Sequence, residues 1–147
     1  MELLNGEYRN TLDEKGRLLF PSKLRSALTQ DSLIVTKSPD ACLWLYTPEH
    51  WTEFENKLLE NTSLFSRQDR LLRDYFLGSA QVVEFDKAGR ISVPQILREY
   101  AKLSKDCMII GVNRYMELWD ADAYRAKMEE FEPSLPDALG KLSGVNF

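Results

Sequence analysis

Along this chain, apolar and polar residues alternate in a short run, pause at a turn, and then switch to helical spacing, and the whole progression occurs twice. "EYRNTL" (7–12) and "AQVVEF" (80–85) alternate with a period of two and carry β-branched or aromatic residues, the pattern of a half-buried strand. Each is followed by turn chemistry, "DEKG" and "DKAG". There an Asp can accept from the backbone two residues on, and a Gly can take the left-handed conformation that a tight hairpin requires. "RLLF" and "RISV" are the predicted return strands, ended by Pro21 and Pro94, which suit the first turn of a helix. "SKLRSAL" and "QILREYA" place apolar residues at helical spacing. "LIVT" and "CMIIGV" read as buried strands, followed by "CLWLY" and "MELW". Thr47 and Asp120 are N-cap candidates for a closing helix in each half, and Pro48 strengthens the first.

Beyond these points the halves differ. Residues 48–60 and 66–77 predict two helices joined at "ENTSLFS", with Ser66 as a cap. The second would turn Leu71, Leu72, Tyr75 and Phe76 towards a core and end at Gly78. From residue 132, "EPSLPDALGKLSGVNF" is rich in Pro, Gly and Ser and predicts a loosely held tail.

The correspondence between halves has a fixed offset. Asp13 to Asp86 is 73 residues, and the same step takes Gly16 to Gly89, Arg17 to Arg90, Pro21 to Pro94, Leu24 to Leu97 and Arg25 to Arg98, continuing without a gap to Leu45 and Leu118. Identities at structurally special residues and constant spacing point to a duplicated unit. Two copies are too few for a solenoid, so a pseudo-two-fold pair sharing one core is expected.

Charge sharpens this picture more than composition does. The 147 residues, 44% hydrophobic and 29% charged, describe an ordinary globular chain, with a net charge of −4. That acidity is unevenly placed: residues 1–37 carry +1 and 67–105 carry +3, whereas 38–66 and 106–147 carry −4 each. The two segments holding the repeated turn are the positive ones, so the halves together can present a basic face despite the acidic total. No apolar run approaches the roughly 20 residues a membrane helix needs, and the N-terminus has no signal-peptide pattern. A cytoplasmic protein with no membrane partner is expected. Cys42 and Cys107 lie far apart in no metal-binding spacing, which predicts two reduced core residues.

Catalytic chemistry finds no foothold. His50 is the only histidine, at a helix start with no Ser or Cys motif nearby. There is no Gly-rich phosphate loop, H-E-x-x-H, G-x-S-x-G or cysteine quartet. No enzyme activity, cofactor, metal or small-molecule substrate is expected. The chemistry-bearing candidates are the repeated turns themselves. Arg17 and Arg90 carry the planar fork that reads guanine or clamps phosphate; Lys15, at the first turn's tip, and Lys87 supply point charges, and Arg9 flanks the first turn. Asp13 and Asp86 are equally well read as ion-pair partners holding the turns, with Gly16 and Gly89 the structural glycines. Lys23 flanks the first turn as well; Arg25 and Arg98 recur on short helices, where Asp13 or Asp86 is as plausible a partner as DNA. Arg67, Arg70 and Arg73 form a stripe at helical spacing with a solvated or subunit-facing reading. Trp44, Trp51 and Trp119 are expected in the core or a subunit interface.

The unit Asp-x-x-Gly-Arg followed by a strand and Pro resembles the AbrB/MraZ group of swapped-hairpin DNA-binding proteins, and specifically MraZ, which carries two such units in one chain. Asp13-Glu-Lys-Gly-Arg17 and Asp86-Lys-Ala-Gly-Arg90 match the motif, and "GRLLFPSKLR", "CLWLY", "RLLRDYFLGSA", "GRISVPQILREYA" and "MELWD" resemble its flanks over residues 5–130. The resemblance implies an α+β fold in which two pseudo-symmetric swapped-hairpin halves complete one small β-barrel with flanking helices. The halves would span 1–60 and 79–131, joined by a helix over 61–78 and followed by a tail over 132–147. It further implies a nucleoid-associated transcriptional regulator that assembles into a closed homo-oligomeric ring. Its partner would be double-stranded promoter DNA: repeated boxes in front of the division and cell-wall operon, its own gene included. Two other readings stay open: an oligomeric protein-interaction scaffold without specific DNA binding, and a hydrolase or nuclease using Asp13 and Asp86 as metal ligands.

Overall fold

A computed structural model describes residues 4–142 and 144. The strands are β1 (Gly6–Thr11), β2 (Arg17–Leu19), β3 (Ser32–Lys37), β4 (Leu43–Tyr46), β5 (Gln81–Glu84), β6 (Arg90–Ser92), β7 (Asp106–Val112) and β8 (Tyr115–Asp120). The helices are α1 (Ser22–Arg25), α2 (Pro48–Glu60), α3 (Arg67–Phe76), α4 (Gln95–Tyr100), α5 (Ala121–Phe131) and α6 (Leu135–Gly140), with a 3₁₀ turn at Glu132–Ser134 before α6. The described residues form a six-stranded antiparallel sheet, ordered β1-β7-β8-β4-β3-β5, and a two-stranded ribbon of β2 and β6. Exchanging each strand with its counterpart in the other half reverses this order and leaves it otherwise unchanged. The centre of the exchange lies where Trp44 pairs with Glu117.

Two expectations need correcting. The return strands do not pair with the strands that precede them: β1 pairs along its whole length with β7, β5 pairs with β3, and β2 pairs with β6. Nor does the sheet close into a barrel. A single bridge, Leu12↔Leu18, is the β-link between the first strand and the ribbon among the described residues. The reason is local. The Asp13 carboxylate takes the Arg17 N–H that a hairpin ladder would have used, and Pro21 and Pro94, which lack an N–H donor, follow shortly after β2 and β6. The Leu19 carbonyl is met by the Asn10 side-chain amide in place of a backbone donor.

The gapless offset also fails in one place. Tyr8 pairs with Ile109 and Gln81 with Val35. Because Tyr8 to Gln81 is 73 residues, Val35 corresponds to Ile109, an offset of 74. One extra residue before β7 is recovered in the shorter β7–β8 turn, where Val112 pairs with Tyr115 while β3 and β4 leave five residues after Lys37. Side chains alternate with a period of two, so a literal offset of 73 would have put Met108 where Val35 sits in the core; the slip puts Ile109 there, fully buried.

The core lies between one face of the sheet and the ribbon. Leu18 and Ile91, directly opposed in the ribbon, are fully buried, and Phe20, Val93, Leu24, Leu97, Leu45 and Leu118 complete it from both halves. Each such side chain contributes about 1.5–3 kcal/mol of burial, which anchors the ribbon on the sheet. On the opposite face, Trp44 stacks on Phe76 at 5.8 Å, and Tyr46, Phe54 and Tyr115 join the cluster under α2 and α3. Trp119 is buried, and Trp44 and Trp51 are half-buried.

Helix starts follow the sequence closely: Thr47, Ser66 and Asp120 each accept a backbone N–H from their first turn. Leu71 and Leu72 do not face a core as expected. They are 50% and 38% exposed, beside Leu64 and Phe65, which are 64% and 96% exposed. Tyr75 and Phe76 alone carry α3 inward, Tyr75 donating to the Ser38 carbonyl. Residues 132–140 of the expected tail fold into the 3₁₀ turn and α6, and its last residues, 143 and 145–147, lie outside the described residues.

Candidate nucleic-acid interface

The two Asp-x-x-Gly-Arg loops are built bond for bond alike. In the first, Asp13 Oδ1 accepts from the backbone N–H groups of Lys15 (2.9 Å) and Arg17 (2.8 Å), while Asp13 Oδ2 accepts from Arg17 Nε at 2.8 Å. In the second, Asp86 Oδ1 accepts from Ala88 (2.9 Å) and Arg90 (2.9 Å), and Oδ2 from Arg90 Nε at 2.9 Å. Gly16 and Gly89 close each turn by donating to the carbonyl of the same Asp, both at 3.0 Å. Their φ values, +78° and +82°, lie in the left-handed region that favours glycine. Accepting the backbone N–H of Arg17 or Arg90 is the leading reason each carboxyl sits below its ordinary value, with the arginine side chain adding to it.

This bonding orients the arginines. Each guanidinium is tied through Nε, and among the described residues its terminal nitrogens make no hydrogen bond. An exposed pair of this kind contributes about 0–1 kcal/mol to stability. Its larger effect is to aim a two-pronged donor outward with its rotamer settled in advance.

Tertiary structure then puts both donors on one surface. The ribbon pairs Arg17 with Ser92, Leu18 with Ile91 and Leu19 with Arg90. By alternation, Arg17, Leu19, Arg90 and Ser92 share the face opposite the buried Leu18 and Ile91. Arg17 and Arg90 are therefore diagonal neighbours, with backbones roughly 7–8 Å apart. Each loop is also tied to the other half: Phe20 N–H donates to the Gly89 carbonyl at 3.0 Å and Val93 N–H to the Gly16 carbonyl at 2.9 Å. The loops with Arg25 and Arg98 gather six cations (Lys15, Arg17, Arg25, Lys87, Arg90, Arg98) against three carboxylates (Asp13, Glu14, Asp86).

Lys15 and Lys87 are exposed on their loops, but they are not equivalent: Lys15 corresponds to Ala88 and Lys87 to Glu14. Arg9 does not join this group. It lies on the outer face of β1 in a cleft with Glu7, Tyr124, Glu129 and Glu132. Arg25 and Arg98 pair with neither Asp13 nor Asp86, whose carboxylates are taken by their own loops; each lies against the glycine of the other half's loop. Of the arginine stripe, Arg70 donates to the Leu64 carbonyl at 2.7 Å and Arg73 to Thr62 Oγ1 at 2.7 Å, so both fasten the α2–α3 connection. Both cysteines are buried, and burial pushes each thiol up to about 12. Among the described residues no group of three or more His, Cys, Asp or Glu could hold a metal ion, and no helix is long and apolar enough to cross a membrane.

Comparison with known proteins agrees over nearly the whole length. The family model described as "MraZ protein, putative antitoxin-like" matches residues 3–74 and 76–139. The chain belongs to the MraZ family. It is 43% identical over 144 residues to the transcriptional regulator MraZ of Treponema denticola, covering 98% of this chain and 100% of that one. The transcriptional regulator MraZ of Treponema pallidum is 41% identical over 127 residues, 86% of this chain and 85% of the relative. That of Ligilactobacillus salivarius is 41% identical over 132 residues, 90% and 91% of the two chains.

Proposed function

We propose that this protein is a sequence-specific, double-stranded DNA-binding transcriptional regulator, acting in the cytoplasm on the nucleoid. It reads repeated boxes in the promoter of the division and cell-wall operon, its own gene included. The observation that carries the reading is the shared face on which two carboxylate-held arginines, their terminal nitrogens unpaired among the described residues, project from a two-stranded ribbon. A ribbon of this width fits the major groove, where an arginine bonds bidentately to guanine. Relatives named as transcriptional regulators support it. The rest of the chain fits a scaffold for that face: two swapped-hairpin units, 1–60 and 79–131, joined over 61–78. Arg17 makes the leading contact, Lys15 the next and Arg90 the third. The first loop is ranked ahead because Lys15 sits at its tip, where the second has Ala88 and carries Lys87 one place earlier.

One such face binds weakly. Leu64, Phe65, Leu71 and Leu72 are exposed on the helical arm and suit contacts between copies. A closed ring would then present several ribbons to repeated boxes, with an avidity gain of about 10²–10⁴. The acidic helical segments would face away from DNA. The same exposed residues also favour the rival of an assembly scaffold without specific DNA binding.

A gel-shift titration of the protein's own upstream DNA against a scrambled duplex, repeated at rising salt, tests the proposal. Specific binding is expected, with log K falling by about 0.9 per tenfold salt for each phosphate neutralised. Equal affinity for both duplexes would reject sequence-specific reading, and a flat salt response would leave the scaffold.

A further inference from the structure

The loops that carry Arg17 and Arg90 are each packed by an arginine from the opposite half. A Cβ placed on Gly89 would fall 1.4 Å from Arg25 Nη1, so the Arg25 guanidinium lies directly on the bare Cα of the second loop. A Cβ on Gly16 would fall 2.6 Å from Arg98 Cζ and 2.8 Å from its Nε. Arg98 is fixed there by donating from Nε to the Val93 carbonyl at 2.9 Å. Val93 N–H in turn holds the Gly16 carbonyl at 2.9 Å, and Phe20 N–H holds that of Gly89 at 3.0 Å. Arg25 follows Phe20 in the first half, and Arg98 follows Val93 in the second. Apart from each glycine's own N–H bond to the Asp of its turn, the guanidinium and the backbone donor that meet it thus come from the other half of the chain.

We infer that Arg25 and Arg98 are positioning residues that set the reading loops crosswise, Arg98 for the loop of Arg17 and Arg25 for the loop of Arg90. The argument is geometric. The glycines have no side chain to lock their loops, and their φ values of +78° and +82° lie where residues with a Cβ are strained. A planar guanidinium lying on the bare Cα supplies the missing wall, and the buried glycine is covered by it. A lysine at the same position keeps the charge but loses both the plane and the Nε donor. The two loops are therefore not independent readers, because each half carries the support of its partner. The inference rests on the DNA reading proposed above and predicts a pattern which that reading alone does not.

The test is a set of double-mutant cycles in discrimination between the protein's own box and a scrambled duplex. Arg98→Ala and Arg25→Ala are each combined with Arg17→Ala and with Arg90→Ala, with melting temperature and oligomer size measured on every variant. The expected pattern is crossed. Arg98→Ala loses about fivefold or more in discrimination alone and on the Arg90→Ala background, but little further once Arg17 is gone; Arg25→Ala behaves the same way towards Arg90. Arg98→Lys and Arg25→Lys, which keep the charge, carry the cycles if an alanine variant does not fold, and the same pattern is expected from them. Coupling within a half, Arg25 with Arg17 and Arg98 with Arg90, overturns the inference and identifies ordinary contacts on one surface. Additivity in all four pairs overturns it as well. If the wild-type protein does not distinguish its box from scrambled DNA, the DNA reading itself fails, and that result is separable from the others because it appears before any variant is made.

Discussion

Replacing Arg17 with alanine separates binding from stability most sharply. The side chain makes one ion pair, Nε to Asp13 Oδ2 at 2.8 Å, between groups about one-third exposed. Such a pair is worth about 0–1 kcal/mol, which for a domain of this size lowers the melting temperature by roughly 2–4 °C at most. The loop keeps its other supports, since Asp13 still accepts the backbone N–H groups of residues 15 and 17, and Gly16 still donates to the Asp13 carbonyl. A bidentate contact to guanine is worth about 1–3 kcal/mol of discrimination per site, roughly 5- to 150-fold, which is the loss expected at each proposed Arg17 contact. Arg17→Ala should therefore stay folded and assembled while its discrimination falls at least about fivefold and stays measurable through Arg90. Lys15→Ala should instead weaken binding to every duplex and reduce the salt slope by about 0.9. The assays are thermal melting, light scattering and titration of the protein's own box against scrambled DNA. An Arg17→Ala protein that is folded, assembled and still near wild type in specificity would refute the reasoning. So would one that loses binding only in step with a large drop in melting temperature.

Further outcomes follow from the same geometry. Gly89→Ala should cost about 1–2 kcal/mol, because an L-residue at φ +82° is strained wherever its Cβ points; an unchanged melting temperature would argue against it. Asp13 and Asp86 titrate below the ordinary 3.8, chiefly because they accept backbone N–H bonds. Their contribution to stability is thus complete above about pH 4 and falls away as pH drops through the lowered values. The Asp13→Asn, Asp86→Asn double variant should show a shallower loss of stability in that acidic window, and an identical acid profile would contradict the assignment. The buried thiols of Cys42 and Cys107, pushed up to about 12, should resist a thiol reagent at neutral pH until the protein unfolds; rapid labelling of the native state would count against this.

Local signals carried a long way. The Asp and Gly of each turn, the capping residues Thr47, Ser66 and Asp120, and the alternation of "RLLF" and "RISV" all act over a few residues, and the structure realises each of them where the sequence places it. The duplicated motif was legible for the same reason, since the loop geometry is set by Asp13 bonding to residues no more than four positions away. What the sequence could not decide was partnership across the chain. The pattern of a strand, a turn and a return strand is the same whether the return strand folds back or crosses to the other half, because alternation fixes which face is buried but not which neighbour is paired. The crossing brings Arg17 and Arg90 onto one face and leaves the sheet open. The one-residue slip of β7 is invisible to a comparison of identities, because a longer approach and a shorter turn compensate for it; burial of Ile109 in place of Met108 selects it. Arg25 and Arg98 stood out by recurrence, yet their partners lie some 64 and 82 positions away, and only packing decides that each covers a glycine of the opposite loop. Leu71 and Leu72 have helical spacing that reads as a core face, but among the described residues the covered side of α3 is the one that Tyr75 and Phe76 occupy, and spacing alone does not say which side of a helix meets a neighbour.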